Sequence, residues 1–190
     1  DQIIKQSSIA SYLFGGFMPT LQTAGGETGP QIFQSRGQQS ANKVALRYKK
    51  LGIWHDVSCA QYGQSVKEVC LGRLSLGLKP GECVSVIGEN SPEWVYIDLG
   101  TMHAAGVTVG VYATNSWEQC QYVVDHSESR FYFVENEEQL DKVLRFRTKV
   151  PRLEKIIVWD LKGLKHFKDP MVMSFEDLVT VGKEQETKNP

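Results

Sequence analysis

A doubled pattern in residues 83–127, CVSVIGENSPEWVYIDLGTMHAAGVTVGVYATNSWEQCQYVVDHSES, constrains this chain more than any other feature. Residues 83–87 are rich in β-branched side chains and poor in polar atoms, as a strand buried on both faces requires. Gly88, Glu89 and Asn90 break the run. Ser91 then caps a helix, Pro92 takes the first helical position, and Glu93 sits in the first turn, where the helix dipole favours an acid. The plan repeats at once: a strand over 107–111, a turn over 112–115, and Ser116 with Gln119 three residues on, the spacing of a capping box. Two strand–helix units in succession demand a parallel sheet, because each helix must carry the chain back across a sheet face before the next strand starts. Ligands in such sheets gather at the carboxyl ends of the strands. That rule places the candidate site residues at Gly88, Glu89 and Asn90 and at Tyr112, Thr114 and Asn115.

The flanking segments follow the same local logic. Val44, Leu46 and Tyr48 alternate with Ala45, Arg47 and Lys49, the period-two signal of a half-buried strand, and residues 53–57 return as the second arm of a hairpin. Ser58 with Gln61 opens a helix to about Leu76 whose apolar stripe is Tyr62, Val66, Val69, Cys70 and Leu74, and Gly77 stands where a left-handed cap belongs. Arg73 falls at the edge of that stripe, so it either snorkels to water or finds a partner. Residues 131–134 read as a third parallel strand and 155–159 as a fourth, 163–170 as a loop, and 171–173 as a brief strand. Between them Asn136 caps a helix that buries Leu140, Val143 and Leu144. Ser174 with Asp177 caps a last helix to Val181, and the polar residues 182–190 read as a frayed tail.

The expected organisation is therefore an α/β fold, a mostly parallel sheet with flanking helices over residues 37–182, between an arm (1–36) and a tail or truncation point (183–190). The arm carries a short helix over 31–39 anchored by Ile32 and Phe33. Its earlier residues Ile9, Leu13, Phe14 and Phe17 form one apolar face, suited equally to packing on the domain, packing on a second subunit in a homodimer, or a mobile tail. A start at Asp1 rather than Met suggests a piece of a longer polypeptide.

Composition serves mainly to exclude. At 190 residues, 41% apolar and 23% charged, the chain has the balance of a soluble globular domain, and a net charge of -1 gives no electrostatic reason for a nucleic-acid partner. Cys59, Cys70, Cys83 and Cys120 have neither CxxC nor zinc spacing, which fits buried reduced thiols in a cytoplasmic protein. No apolar run approaches the ~18 residues of a membrane span. The glycine spacing of a dinucleotide site, the GxxxxGK[ST] of a P-loop and the GxSxG of a hydrolase elbow do not occur. Gly106 and Gly110 are explained by close packing around a buried strand. His55, His103, His126 and His166 have no partners at metal-ligand spacing, and His103, on an apolar helix, reads as a hydrogen-bonded boundary residue. The cations Lys142, Arg145, Arg147, Lys149, Arg152 and Lys155 read as a solvated face, with contact to anionic lipid or a phosphate-bearing ligand as the rival. From the residues alone, the catalytic, cofactor-binding and metal-binding sets are empty.

The motifs nevertheless have a family look. GIWHDVSCAQYGQSV, then LSLGLKPGECVSVIGENSPEWVYIDLGTMHAAGVTVGVYATNSWEQCQYVVDHSES, then FYFVENEEQLDKVL resemble the amino-terminal part of AMP-forming long-chain fatty-acid–CoA ligases, members of the adenylate-forming superfamily. Residues 58–62 resemble the first core motif of that superfamily and residues 102–112, MHAAGVTVGVY, the second; GENS and LKPGE are equally typical. The resemblance spans residues 32–179, and GIWHDVS, PEWVYIDLG and NEEQLDKVL point to the long-chain branch. Departures are Ala113 in place of a common proline, which loosens its loop, Cys59 in place of an aromatic, and Arg73 in place of an apolar residue.

The resemblance implies ATP, Mg²⁺ and coenzyme A as the cofactors of a parent enzyme that makes acyl-CoA through an acyl-adenylate. It also implies that this fragment is inactive, because the Ser/Thr/Gly-rich phosphate loop with its lysine and the mobile carboxy-terminal domain are not in it. Its partners would be the remainder of the ligase chain and, through it, a long-chain fatty acid, with peripheral contact at a membrane surface and homodimer formation both open. Two rivals stand beside this reading: a free-standing binding module that kept the scaffold without the chemistry, and a ligase of another acid branch. A reading frame that continues past Pro190 favours the enzyme, and a stop codon there the module.

Overall fold

In the computed structural model, which describes residues 28–188, each helix begins at the cap its sequence supplies. Thr28 and Gln31 satisfy one another's backbone at the start of α1 (Gly29–Gln39). A hairpin follows, β1 (Val44–Lys50) against β2 (Ile53–Ser58), antiparallel, with Leu51 and Gly52 both left-handed at the turn (φ 50° and 84°) as a tight two-residue hairpin loop requires. Ser58 and Gln61 form the next capping box and open α2 (Cys59–Ser75), which ends with Gly77 at φ 88°. Phe33 anchors α1 by packing edge-on to Tyr62 of α2 and to His103, at 4.8 and 5.6 Å between ring centroids.

The central sheet contains β3 (Cys83–Ile87), β4 (Val107–Val111), β5 (Phe131–Val134), β6 (Lys155–Val158) and β7 (Val172–Ser174) in the order β4-β3-β5-β6-β7, with every pairing parallel. The connecting helices are α3 (Pro92–His103), α4 (Trp117–His126), α5 (Glu137–Leu144) and α6 (Phe175–Lys188). The chain leaves β3 toward one edge to make β4, then returns past β3 to make β5 on the other side. The strand order therefore reverses between β3 and β5, and a crevice opens at that reversal.

The pleat sorts the core into two layers. Phe131 and Phe133 of β5, with Val84, Val86 and Ile157, face α2, α3 and α6 through Val69, Ile97 and Leu178. Tyr132 and Val134 of the same strand, with Ile87, Ile156 and Val158, face α4 and α5 through Cys120, Val124, Leu140 and Val143. At the amino-terminal end of the sheet Arg130 binds Glu82 and Glu154, each at 2.8 Å, and donates to the Gly77 carbonyl, which ties β3, β5 and the turn before β6 together.

Several expectations change. Of the two alternatives for Arg73 the structure takes the second, a partner and not solvent: the side chain is fully buried, donating to Thr101 Oγ1 and, at 3.3 Å, to the Val69 carbonyl, with its guanidinium 5.3 Å over the Phe133 ring. Burial pulls its pKa down to about 10, which leaves it cationic at neutral pH. Strand β4 is an edge strand and not a buried one, with Val107 48% exposed; a Cβ on Gly110 would meet only Trp94, at 3.9 Å, whereas Gly106 is packed against Thr101, Glu82 and Leu78. The hairpin is a two-stranded sheet of its own, in which Ile53 and Trp54 are exposed, Leu46 and Tyr48 half-buried and Val57 buried. Cys59 and Cys83 are only half-buried, while Cys70 and Cys120 are buried. The last helix continues past Val181 to Lys188, because Gly182 packs on the Glu68 carbonyl and Glu186 binds Lys67 at 2.6 Å and Gln64 at 3.1 Å. Residues 1–27, with the apolar face of the arm, lie outside the described residues.

Candidate functional site

Beyond Ile87 the backbone ladder continues for a few residues, and this extension shapes the crevice. The Glu135 N–H donates to the Ile87 carbonyl at 3.0 Å, Trp159 N–H to Val134 at 3.3 Å, and Asp160 N–H to Glu135 at 2.7 Å. The Glu89 N–H is then caught by Glu135 Oε2 at 2.9 Å. Gly88 has no room for a side chain, since a Cβ would run into the Trp159 ring and come within 2.8 Å of Glu135 Cβ. Three strand ends are thus stitched side by side. Ser91, accepting from the Trp94 N–H at 3.3 Å, starts α3 immediately beyond them.

Above this floor lies a cleft of about 750 Å³ with Asn90, Glu93, Glu135, Trp159 and Asp160 on the sheet side and Tyr48, Lys49 and Trp54 of the hairpin on the other. Its sheet side is acidic, with Glu93, Glu135 and Asp160 in the lining; Glu135 accepts from the Glu89 N–H and Asp160 from the Lys162 N–H. The hairpin supplies three cations: Arg47 is paired with Asp56 at 2.8 Å, Lys49 lies 5.8 Å over the Trp54 ring, and Lys50 also lines the cleft. Among the described residues no three His, Cys, Asp or Glu side chains converge as a metal-binding cluster.

The structure separates the two groups of site residues read from the sequence. Gly88, Glu89 and Asn90 stand at the crevice. Tyr112, Thr114 and Asn115 follow the edge strand and do not line that cleft; Tyr112 is 80% exposed, and Asn115 borders a shallow depression with Glu118, Gln119 and Tyr122. The loop around Ala113 is pinned without a proline, by the Asn115 N–H on the Tyr112 carbonyl at 3.0 Å and by Lys142 Nζ on the Ala113 carbonyl at 2.7 Å. Glu135, Trp159 and Asp160 are additions to the sequence reading. They follow the third and fourth parallel strands directly, so the carboxyl-end rule that selected residues 88–90 also points to them.

A second cavity, of about 250 Å³ between α1 and α2, has Cys59, Cys70 and His103 in its lining. Burial pushes the Cys70 thiol up to about 12, so no thiolate forms at neutral pH, and burial pulls His103 below its ordinary value while its Nδ1 lies 2.7 Å from the Leu99 carbonyl.

Comparison with known proteins agrees with this geometry. The AMP-binding enzyme family matches residues 33–185. The long-chain-fatty-acid–CoA ligase ACSBG2 of Xenopus laevis is 34% identical over 154 residues, which are 81% of this chain and 21% of that protein. The human long-chain-fatty-acid–CoA ligase ACSBG1 is 32% identical over 154 residues, with the same 81% and 21% shares. Among solved structures, the anthranilate CoA ligase AuaEII in complex with anthranoyl-AMP superposes with a TM-score of 0.68 at 23% identity, over 78% of this chain and 27% of that one. Coronafacic acid ligase from Pectobacterium brasiliense gives a TM-score of 0.68 at 20% identity, over 78% and 28%. The structural likenesses share the fold, and the chain spans about a fifth of the length of the curated relatives it matches. With the parallel sheet, its reversal beside Gly88 and a match that runs through both β–α units, this chain belongs to the AMP-binding enzyme family.

Proposed function

We propose that these residues form a scaffold wall of an AMP-forming fatty-acid–CoA ligase, with a long-chain acid as substrate, and that they do not carry out ligation alone. In the reaction a carboxylate oxygen of the acid attacks the α-phosphorus of ATP and pyrophosphate leaves. The thiolate of coenzyme A then attacks the acyl carbonyl and AMP leaves. Both steps need donors and cations on the phosphate oxygens, where negative charge develops. The observation that carries the proposal is the sheet side of the strand-end cleft: Glu93, Glu135 and Asp160 are acids, and the cations that line the cleft, Arg47, Lys49 and Lys50, stand on the hairpin opposite, so the strand ends themselves bring no cation to a transferring phosphate. The floor is suited to a different task. Gly88 locked under Trp159 and Glu89 held by Glu135 give a rigid surface on which other groups can be positioned. The family match supports the adenylate chemistry, and the relatives' names support the long acyl chain.

The test is acid-dependent exchange of pyrophosphate into ATP, measured on the 190-residue chain and on the product of the uninterrupted reading frame around it. Exchange is expected only from the latter, and with long-chain acids in preference to short or aryl acids. Clear exchange by the 190 residues alone would overturn the scaffold reading, and a preference for aryl acids would overturn the substrate.

A further inference from the structure

The segment after β6 has a pattern that none of the above uses. Residues 161–169 repeat an apolar–lysine–x triplet three times, LKG, LKH, FKD. The backbone turns in step with the repeat: the Leu164 N–H donates to the Leu161 carbonyl at 3.0 Å, and the Phe167 N–H to the Leu164 carbonyl at 2.9 Å. Gly163, at φ 86°, supplies the left-handed residue of the first turn. Leu161, Leu164 and Phe167 therefore stand at successive turn corners, with the ends of each turn within ~7 Å of one another. A lysine follows each corner. Leu164 is half-buried and roots the run, while Leu161 is 44% and Phe167 40% exposed, and Lys162, Lys165 and Lys168 are all exposed.

The acids nearby have partners or contacts other than the side chains of these lysines. Asp169 is held by Arg147 at 2.5 Å and by the Met171 N–H, Asp160 accepts the Lys162 N–H at 3.0 Å, Asp177 accepts the Ser174 N–H at 3.3 Å, and the Glu137 carboxylate lies against Gly163. Among the described residues no ion pair engages Lys162, Lys165 or Lys168. The segment borders a hollow of about 580 Å³ with Met173 and Val172 in its lining, so apolar surface continues behind the exposed corners.

We propose that residues 161–168 are a docking element for an anionic lipid surface, with the three lysines at the headgroup phosphates and Leu161 and Phe167 in the layer beneath. The pairing selects the partner. A polyanion without an apolar layer would leave Leu161 and Phe167 in water, and an apolar groove would leave three cations without counter-charge. A membrane interface satisfies both. The segment begins two residues after Trp159, so docking holds the strand-end cleft beside the phase into which long apolar chains partition. The inference rests on the turn geometry and needs neither ATP nor an acid, so it stands or falls separately from the ligase reading.

The experiment is co-sedimentation of the 190-residue chain with phosphatidylcholine vesicles, with and without phosphatidylserine. Binding is expected only to the phosphatidylserine vesicles and weakens as salt is raised. Each lysine near an anionic surface contributes about a fivefold factor, so Lys162→Gln, Lys165→Gln and Lys168→Gln together lower the partition coefficient about 100-fold. Leu161→Ser with Phe167→Ser, both surface changes, also reduces it. A control with the same loss of charge elsewhere, Lys43→Gln, Lys79→Gln and Lys183→Gln, keeps most of the binding. The proposal is overturned by absence of binding to phosphatidylserine vesicles, by an equal loss in the control, or by a dimer in size-exclusion chromatography that Phe167→Ser dissociates, which would give the apolar corners to a second copy.

Discussion

After β3 the chain turns at Gly88, where a Cβ would strike the Trp159 ring; after β4 it turns at Tyr112, whose side chain is 80% exposed. The two units share one plan of strand, turn, serine cap, helix and a histidine in the last helical turn. Their surroundings differ because β3 has a neighbour on each side and β4 has one. The turn after β3 is walled by the residues that follow β5 and β6, and the turn after β4 is held by one backbone bond of its own and one lysine from α5. The same contrast reaches the helix ends, where His103 is buried and His126 is exposed and stacked on Tyr122. Strand order, more than local sequence, decides which of two similar loops faces the crevice.

The largest test of this contrast compares two glycines. Gly88→Ala forces a methyl group into the Trp159 ring and Glu135 Cβ, and is expected to cost about 3 kcal/mol through overpacking. Gly110→Ala on the edge strand meets only Trp94 at van der Waals distance and is expected to change stability by less than about 0.5 kcal/mol. Urea denaturation midpoints of the two variants read the difference directly. Equal losses would mean that the crevice is no more tightly built than the edge.

The residues that were legible in advance are those whose reason is local. Ser58 with Gln61 and Ser116 with Gln119 cap their helices reciprocally because the partners lie three residues apart, and Gly77 is left-handed because the helix ends there. The alternating burial of Phe131, Tyr132 and Phe133 follows from the pleat once the segment is a strand. What escaped is set by distant parts of the chain. The edge position of β4 is decided by β5 returning past β3. Arg73 is tolerated in the core because Thr101 and Phe133, from two other elements, offer it a hydroxyl and a ring face. The polar stretch 183–188 is helical because α2 presents Lys67 and Gln64 to Glu186. Half of the candidate site was legible for the same reason: residues 88–90 follow an obvious strand, whereas their contact with Glu135 and Trp159 needs the strand order.

An intermediate effect is expected at the polar contacts that hold the two loops. Glu135→Ala removes the carboxylate that accepts the Glu89 N–H, a charge-assisted bond beside a half-buried wall, and is expected to cost about 1.5 kcal/mol. Lys142→Met keeps the packing of the stem and deletes the bond to the Ala113 carbonyl with the 3.7 Å ion pair to the exposed Glu138, at a cost of less than about 1 kcal/mol. Amide hydrogen exchange distinguishes the sites. Exchange at Glu89 should accelerate in the first variant and stay unchanged in the second; acceleration at Glu89 in both would mean that the loops are coupled rather than independently held.

The smallest expected effect lies at the far end of α3. Burial, the largest influence on His103, favours its neutral form and lowers its pKa below the ordinary 6.5, against the opposing pull of the Leu99 carbonyl. The unfolded chain takes up a proton as pH falls through 6.5 and the folded chain does so only further down, so the unfolded state binds more protons across that window. Stability is therefore fully present above 6.5 and declines as pH falls toward the folded value. His103→Gln keeps a donor for the Leu99 carbonyl and has no titrating ring, so the slope of stability against pH just below neutrality should flatten while stability above that window changes little. An unchanged slope would show that the acid sensitivity arises elsewhere, and that the buried end of α3 is as indifferent to protonation as a solvated helix end.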